Sequence, residues 1–378
     1  MTPGRIRLGT AASILAGIGL SVLSLAGTLL VLEGSFRALG IRGHYPAPRI
    51  DEVIPKPGHG RRQTRFGFIP HATIRTTYAS DPRGYFGAGN RIDHVHNSAG
   101  WRDLEHERAK PPGTYRILGL GDSYLFGRGV RREDIVLTQL ELLLAEPRPD
   151  SAIETINTAE PGSNTVMQRD LLKEAGIRFA PDLVLVFFVL NDVDKRPSGE
   201  VKPKIEFYTN YTTIYQRPDA FSATSNLWSW VRQRYLLSIR ARRTIRESVA
   251  DFGDESPPWQ ACQRALTSID EIARGQGAST LVVIFPFFHD LDGDYPFQTI
   301  HATVRSFLER SGVPVLDLRR AFHAYRGPEL WVHETDQHPN EIAHAIAARA
   351  IAAHLEENAQ RFGLPPAVRG GGSVVDGR

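Results

Sequence analysis

The chain has 378 residues, 41% of them hydrophobic and 23% charged, a composition that excludes a disordered protein. Its formal charge of +3 is small for that length and argues against a nucleic-acid partner. The single cysteine, Cys262, excludes an intramolecular disulfide and a paired-cysteine metal site; its helical surroundings predict a buried small hydrophobe.

From Leu8 to Leu32 no side chain is charged, a run long enough to cross a bilayer as a helix. Arg5 and Arg7 precede it, which favours a cytoplasmic N-terminus. Ser24-Leu25-Ala26 would suit a cleaved signal peptide, but the apolar run continues past it. Residues 1–32 are therefore expected as a single-pass membrane anchor, with the body outside the cytoplasm, periplasmic or extracellular. Residues 33–65, whose part from 43 onward is rich in Pro, Gly, His and Arg without periodicity, read as a juxtamembrane linker. Residues 66–114 read as a β-rich lead-in, with strands at Thr73–Thr77 and Arg91–Val95. His94 and His96 share a face of the second strand, but no third metal ligand accompanies them.

From residue 115 to 362 strands and helices alternate. Strands are predicted at 115–121, 153–157, 183–190, 280–285 and 313–317. Helices are predicted at 132–146, 166–178, 259–275, 299–311 and 340–356. This alternation predicts a three-layer α/β/α sandwich around a central parallel sheet. Residues 193–257 interrupt it as an insertion beside the active face, with a helical pattern from Asn226 to Ser248. The basic run Arg232 to Arg246 within it reads as an amphipathic helix with a solvated face, a membrane-surface contact being the alternative. Residues 363–378 read as a disordered tail. No internal repeat is visible, and no oligomeric interface is read from the pattern.

The chemistry centres on Gly121-Asp122-Ser123, where the first core strand stops and a helix follows. In open α/β sheets ligands bind just beyond the carboxyl ends of the strands. Ser123 needs a base to become a nucleophile. His338 in Glu334-Thr335-Asp336-Gln337-His338-Pro339-Asn340 is the candidate, with Asp336 to orient it. Two loops, 159–164 and 187–192, are placed to supply oxyanion donors. A serine after a strand is also a common helix cap, although capping alone does not explain the flanking Gly121 and Gly127. The dinucleotide fingerprint fails at Tyr124, and no Gly-Lys-Ser/Thr follows for a P-loop. A metal set of His333, Asp336 and His338 lacks regular zinc spacing.

Four blocks in order, Ser123 in GDSYLFG, Gly162 in EPGSN, Asn191 in LND and His338 in DQHPN, resemble the SGNH (GDSL-like) hydrolases over roughly residues 115–357. The segment Asn97 to Arg102 is similar to one in membrane-linked members of that family. The resemblance implies a flavodoxin-like fold, a catalytic Ser123, Asp336 and His338, and an oxyanion hole from the Ser123 and Gly162 N–H groups and the Asn191 amide. It implies no cofactor and no metal. Two departures stand out. The family often has glycine where this chain has Val189, and its usual acid, three residues before the histidine, is replaced here by Thr335. Asp336 is therefore the chosen acid, with Glu334 as the fallback. The expected function is an extracytoplasmic serine esterase that cleaves acyl esters, acetyl by preference, on a carbohydrate. A polysaccharide O-acyltransferase using the same serine and a non-catalytic glycan-binding component of an envelope assembly are the alternatives.

Overall fold

The apolar run before Ser123 forms β4, Thr114–Leu120, the second strand of a five-stranded parallel sheet ordered β5-β4-β6-β7-β8. The others are β5 (Ala152–Asn157), β6 (Leu183–Phe188), β7 (Ser279–Ile284) and β8 (Val315–Asp317). The coordinates are a computed structural model and describe residues 8–43, 49–59, 62–193, 219–291 and 293–368. Every residue of β6 is buried, as a strand covered on both faces requires. Helices Val136–Ala145 and Glu341–Glu357 pack together on one side, and Thr165–Glu174 packs on Pro257–Arg274 on the other. The result is the expected α/β/α sandwich. Its strand order reverses between β4 and β6, and that crevice is where doubly wound sheets bind ligands. Cys262 is buried in the helix Pro257–Arg274.

A second, three-stranded antiparallel sheet is formed by β1 (Ile50–Ile54), β2 (Thr73–Thr77) and β3 (Arg91–Val95). The expected linker needs correction here. The N-terminal helix runs from Leu8 to Ala38, past the expected boundary at 32, and Ile50–Ile54 is a strand. That strand has little pattern of its own; it forms because β2 offers a full edge, pairing Ile50 with Thr77 through Ile54 with Thr73. On β2 and β3 the alternation buries Ile74, Thr76, Ile92 and His94.

The segment Asn97 to Arg102 braces the turn after β4. The Asn97 Oδ1 accepts from the Ala99 and Trp101 N–H groups at 3.0 Å each and shapes a tight loop. That loop buries Arg102, whose guanidinium donates to the Phe126 carbonyl at 2.8 Å and to those of Gly127 and Val130. Charge-assisted hydrogen bonds of this kind contribute about 1.5–3 kcal/mol each. Arg102→Met is expected to lower stability by about 3 kcal/mol or more, read as a fall in Tm of roughly 6–12 °C. A melting curve superimposable on wild type would remove the clamp from the account.

The chain divides into two units, Met1–Pro46 with Thr213–Thr244, and Ala47–Thr212 with Ile245–Arg378. Of the insertion expected at 193–257, the described part from 219 to 244 groups with the N-terminal helix. Glu33 explains why. Its carboxylate accepts from the Ser225 hydroxyl at 2.8 Å and from the N–H groups of Asn226 and Leu227 at 3.1 and 3.0 Å. It thereby satisfies the first turn of the helix Asn226–Asp251 in the manner of an N-cap. Gly43 N–H donates to the Ser229 hydroxyl at 2.9 Å, and Phe36 meets Trp230 edge-on at 5.6 Å. Within the N-terminal helix, the most apolar 18-residue stretch of Ser13–Ala38 has a mean hydropathy of 2.2 and none of it is buried, properties shared by a membrane span and a signal sequence. Of the tail expected to be disordered, residues 369–378 lie outside the described residues.

Candidate active site

β4 ends at Leu120 and the chain turns at Gly121 under close packing. A Cβ at Gly121 would come within 2.7 Å of the Leu125 Cβ and 3.2 Å of the Phe187 Cβ, so only glycine lets the turn sit this low. Asp122 caps the short helix Ser123–Phe126 by accepting from the Tyr124 N–H at 2.9 Å. The capping role considered for the serine therefore falls to its neighbour. Ser123 is the first residue of that helix, so its N–H has no carbonyl partner within it.

His338 arrives from the other end of the domain on a hairpin of β9 (Trp331–His333) and β10 (Asp336–Pro339). Asn340 anchors it: its Oδ1 caps the last helix through the Ile342 and Ala343 N–H groups at 3.1 and 3.0 Å, and its Nδ2 donates to the Glu329 carbonyl at 2.9 Å. Residues two apart on a strand share a face. Asp336 and His338 therefore stand side by side, while Glu334, the fallback acid, is exposed. The His338 Nε2 lies 2.8 Å from the Ser123 Oγ, and its Nδ1 is hydrogen-bonded to Asp336 Oδ1. The Tyr124 ring meets the imidazole edge-on at 5.7 Å. Burial by itself would raise the Asp336 carboxyl; the Arg49 guanidinium, then His338 and Arg128, outweigh it and hold the group well below the usual carboxylate range.

The loop carrying Gly162 is tied to the end of β4. The Glu160 N–H and the Ser163 hydroxyl both donate to the Gly121 carbonyl, at 3.1 and 2.9 Å. Gly162 itself has φ +78°, a left-handed conformation that favours glycine. Asn191 follows β6, where the chain leaves the strand early. The Val189 N–H donates to Asp192 Oδ2 at 3.2 Å and turns the backbone into a short 3-10 segment, Leu190–Asp192. The Asn191 amide donates to Asp122 Oδ2 at 2.9 Å, one residue from the serine, and carries a second N–H. Asp122 thus orients Asn191 as well as bracing the turn. Burial raises the Asp122 carboxyl, opposed by the hydrogen bonds from Tyr124 and Asn191.

Other groups at the site carry little signal in the sequence. Asp336 Oδ2 accepts from the Tyr78 hydroxyl and from Arg49, each at 2.8 Å. Tyr78 continues the buried alternation of β2, and a buried hydroxyl there needs a partner; that is the one clue that could have found it. Arg49 sits in a Pro-rich stretch with no pattern at all. The metal alternatives dissolve into ordinary hydrogen bonds. His333 lies against the Ser80 and Thr335 hydroxyls at 2.9 and 2.8 Å. His94 sits 3.0 Å from the Ile74 carbonyl and accepts from the Gly129 N–H at 3.0 Å, and His96 sits 3.0 Å from the Ala72 carbonyl. Among the described residues no cluster of three or more His, Cys, Asp or Glu is arranged to hold a metal.

The chain is similar to several solved structures. TesA shares 14% identity at a TM-score of 0.41, covering 64% of this chain and 98% of its own. A catalytic mutant of an acetylxylan esterase from Geobacillus stearothermophilus shares 15% at 0.39, covering 66% and 95%. A two-domain esterase active on acetylated mannans, co-crystallised with mannopentaose, shares 12% at 0.41, covering 67% and 52%. No curated protein matches the chain. A model of the GDSL-like lipase/acylhydrolase family matches residues 120–346, which runs from the final residue of β4 into the helix Glu341–Glu357 and takes in Ser123, Gly162, Asn191, Asp336 and His338. With well over half of its length matched, the chain belongs to the GDSL-like lipase/acylhydrolase family, an ester-cleaving hydrolase family.

Proposed function

We propose that this protein is a membrane-anchored serine esterase working through an acyl-enzyme, with Ser123 as nucleophile, His338 as base and Asp336 as its orienting acid. The observation that carries this reading is the continuous chain of contacts from Ser123 Oγ through both ring nitrogens of His338 to Asp336. Ser123 Oγ bonds to the ester carbonyl carbon as its proton passes to His338 Nε2. The tetrahedral oxyanion is held by the Ser123 and Gly162 N–H groups and the second N–H of Asn191. Its collapse breaks the bond to the alcohol oxygen, which takes the proton from His338. Water, deprotonated by the same nitrogen, then attacks the acyl carbon and restores the serine.

The proposed substrate is an acetyl ester on a carbohydrate, supported by the family resemblance and by an outward-facing body. That topology rests on Arg5 and Arg7 ahead of the apolar helix. In the proposed organisation the N-terminal helix anchors the chain and the unit Ala47–Thr212 with Ile245–Arg378 forms the enzyme.

The test uses the full-length chain in detergent. Wild type is expected to react with a fluorophosphonate probe and to hydrolyse short-chain esters, and Ser123→Ala to do neither. An unlabelled wild type that cleaves no ester overturns the reading. Asn191→Ala is expected to lower kcat by about 10²–10³ with KM little changed, the usual cost of one oxyanion donor. Unchanged turnover would take Asn191 out of the oxyanion site.

A further inference from the structure

Behind Asp336 lies a group of charges that the proposed reaction does not use directly. Arg49 places Nη1 2.8 Å from Asp336 Oδ2 and Nε 3.5 Å from Asp51 Oδ2. Arg128 donates to Asp51 Oδ2 and places its Nε 3.8 Å from Asp336 Oδ2. Two carboxylates and two guanidiniums therefore close a ring. The Thr76 hydroxyl donates to Asp51 Oδ1 at 2.7 Å, and the Tyr78 hydroxyl to Asp336 Oδ2 at 2.8 Å. All four charged side chains are buried, with Arg49 5%, Asp51 2%, Arg128 2% and Asp336 1% exposed. Charges that deep persist only when they compensate one another, and here the formal sum is zero.

We propose that Arg49, clamped between Asp336 and Asp51, is a positioning residue that fixes the orientation of the catalytic aspartate and sets the charge felt by His338. The inference rests on the catalytic reading of Ser123, His338 and Asp336. Its geometric part follows from the two oxygens of Asp336. Oδ1 faces the imidazole, and Oδ2 is bound by Arg49 and Tyr78, so the carboxylate cannot rotate without breaking buried, charge-assisted bonds. A planar fork suits this task and a lysine does not.

Its electrostatic part follows from sign. Among the described residues, the titratable groups around His338 are Asp336 on β10, Asp122 and Tyr124 on the nucleophile turn and His344 on the helix Glu341–Glu357, with Tyr78, Arg49, Arg128 and Asp51 behind Asp336. His344 is buried, its pKa pushed down to about 3, and it accepts from the Val136 N–H at 3.2 Å, so it stays neutral throughout. Removing the Arg49 charge leaves two carboxylates against one guanidinium and favours the imidazolium. Removing the Asp51 charge leaves two guanidiniums against one carboxylate and disfavours it.

The test is the protonation midpoint of His338, followed by histidine NMR on the full-length chain in detergent, beside the acid limb of kcat/KM. Arg49→Met is expected to raise the midpoint by about one pH unit, Asp51→Asn to lower it by roughly half a unit, and the acid limb to follow each. Arg49→Lys should restore the midpoint but not the rate, because the charge returns without the fork. A purely structural Arg49 would lower Tm and leave the midpoint alone. Midpoints that stay at the wild-type value in both Arg49→Met and Asp51→Asn, or move the same way, overturn the proposal. If Arg49→Met does not fold, Asp51→Asn and Arg49→Lys decide it, since both keep a cation beside Asp336. The midpoint needs no turnover. A wild type inactive towards esters and fluorophosphonate sinks the catalytic reading, whereas an active wild type with unmoved midpoints sinks only the role of Arg49.

Discussion

Ser123→Ala is expected to lower ester turnover on the order of a millionfold, with binding of substrate nearly intact. The size of the effect comes from how the site is built. The hydroxyl lies 2.8 Å from the base, whereas the turn that presents it is held by other residues. Asp122 caps the short helix, Gly121 lets it approach the sheet, and Arg102 clamps the carbonyls at its end. Deleting one oxygen leaves that frame standing, so the loss falls on the chemical step. Steady-state kinetics and circular dichroism on the same preparation check it. Residual turnover within a hundredfold of wild type, in a folded variant, would mean that another group attacks the ester.

Asp336→Asn is expected to cost about 10⁴ in kcat, because the amide favours the wrong tautomer of His338 and does not stabilise its charged form. Here the substitution carries a second penalty. The side chain is 1% exposed and faces Arg49, so the variant buries a guanidinium with one carboxylate fewer to meet it. Breaking one partner of a buried ion pair costs about 3–5 kcal/mol. This loss depends on pH in a definite direction. The Asp336 carboxyl is held well below its usual value in the folded chain, with burial opposing and Arg49 and His338 prevailing. A depressed carboxyl stabilises the fold above its unfolded pKa of about 3.9, and that contribution disappears as the pH falls through the folded value. The Tm gap between wild type and Asp336→Asn is therefore expected to be full at pH 7 and to narrow below about pH 4. A gap that does not change between pH 7 and pH 3 would separate Asp336 from the stability of the cluster.

Much of the two sheets was legible because most of their strands carry their own signature. Leu183–Phe188 is apolar throughout, and a strand buried on both faces needs nothing else to be recognised. Thr73–Thr77 and Arg91–Val95 alternate and occur at the expected residues. Element ends were harder. The helix expected from Arg132 begins at Val136, because Arg132–Asp134 forms a 3-10 turn and Ile135 is extended. β6 stops at Phe188 although the apolar run continues to Leu190, because the Asp192 side chain captures the Val189 N–H. No local pattern announces that capture.

By itself the sequence determined the family, the α/β/α class and the candidate serine, glycine, asparagine and histidine, since apolar runs and short motifs are local properties of the chain. Only the tertiary structure decided what surrounds Asp336. Its pairing with His338 depends on β10 being extended, so that residues two apart face the same way, and β10 is extended because it pairs with β9. Arg49 and Asp51 reach the aspartate from a stretch that reads as linker, because β2 supplies the edge on which β1 forms. Contacts between residues hundreds of positions apart leave no trace in any window of sequence, and buried charges must find their counter-charges wherever the fold brings them.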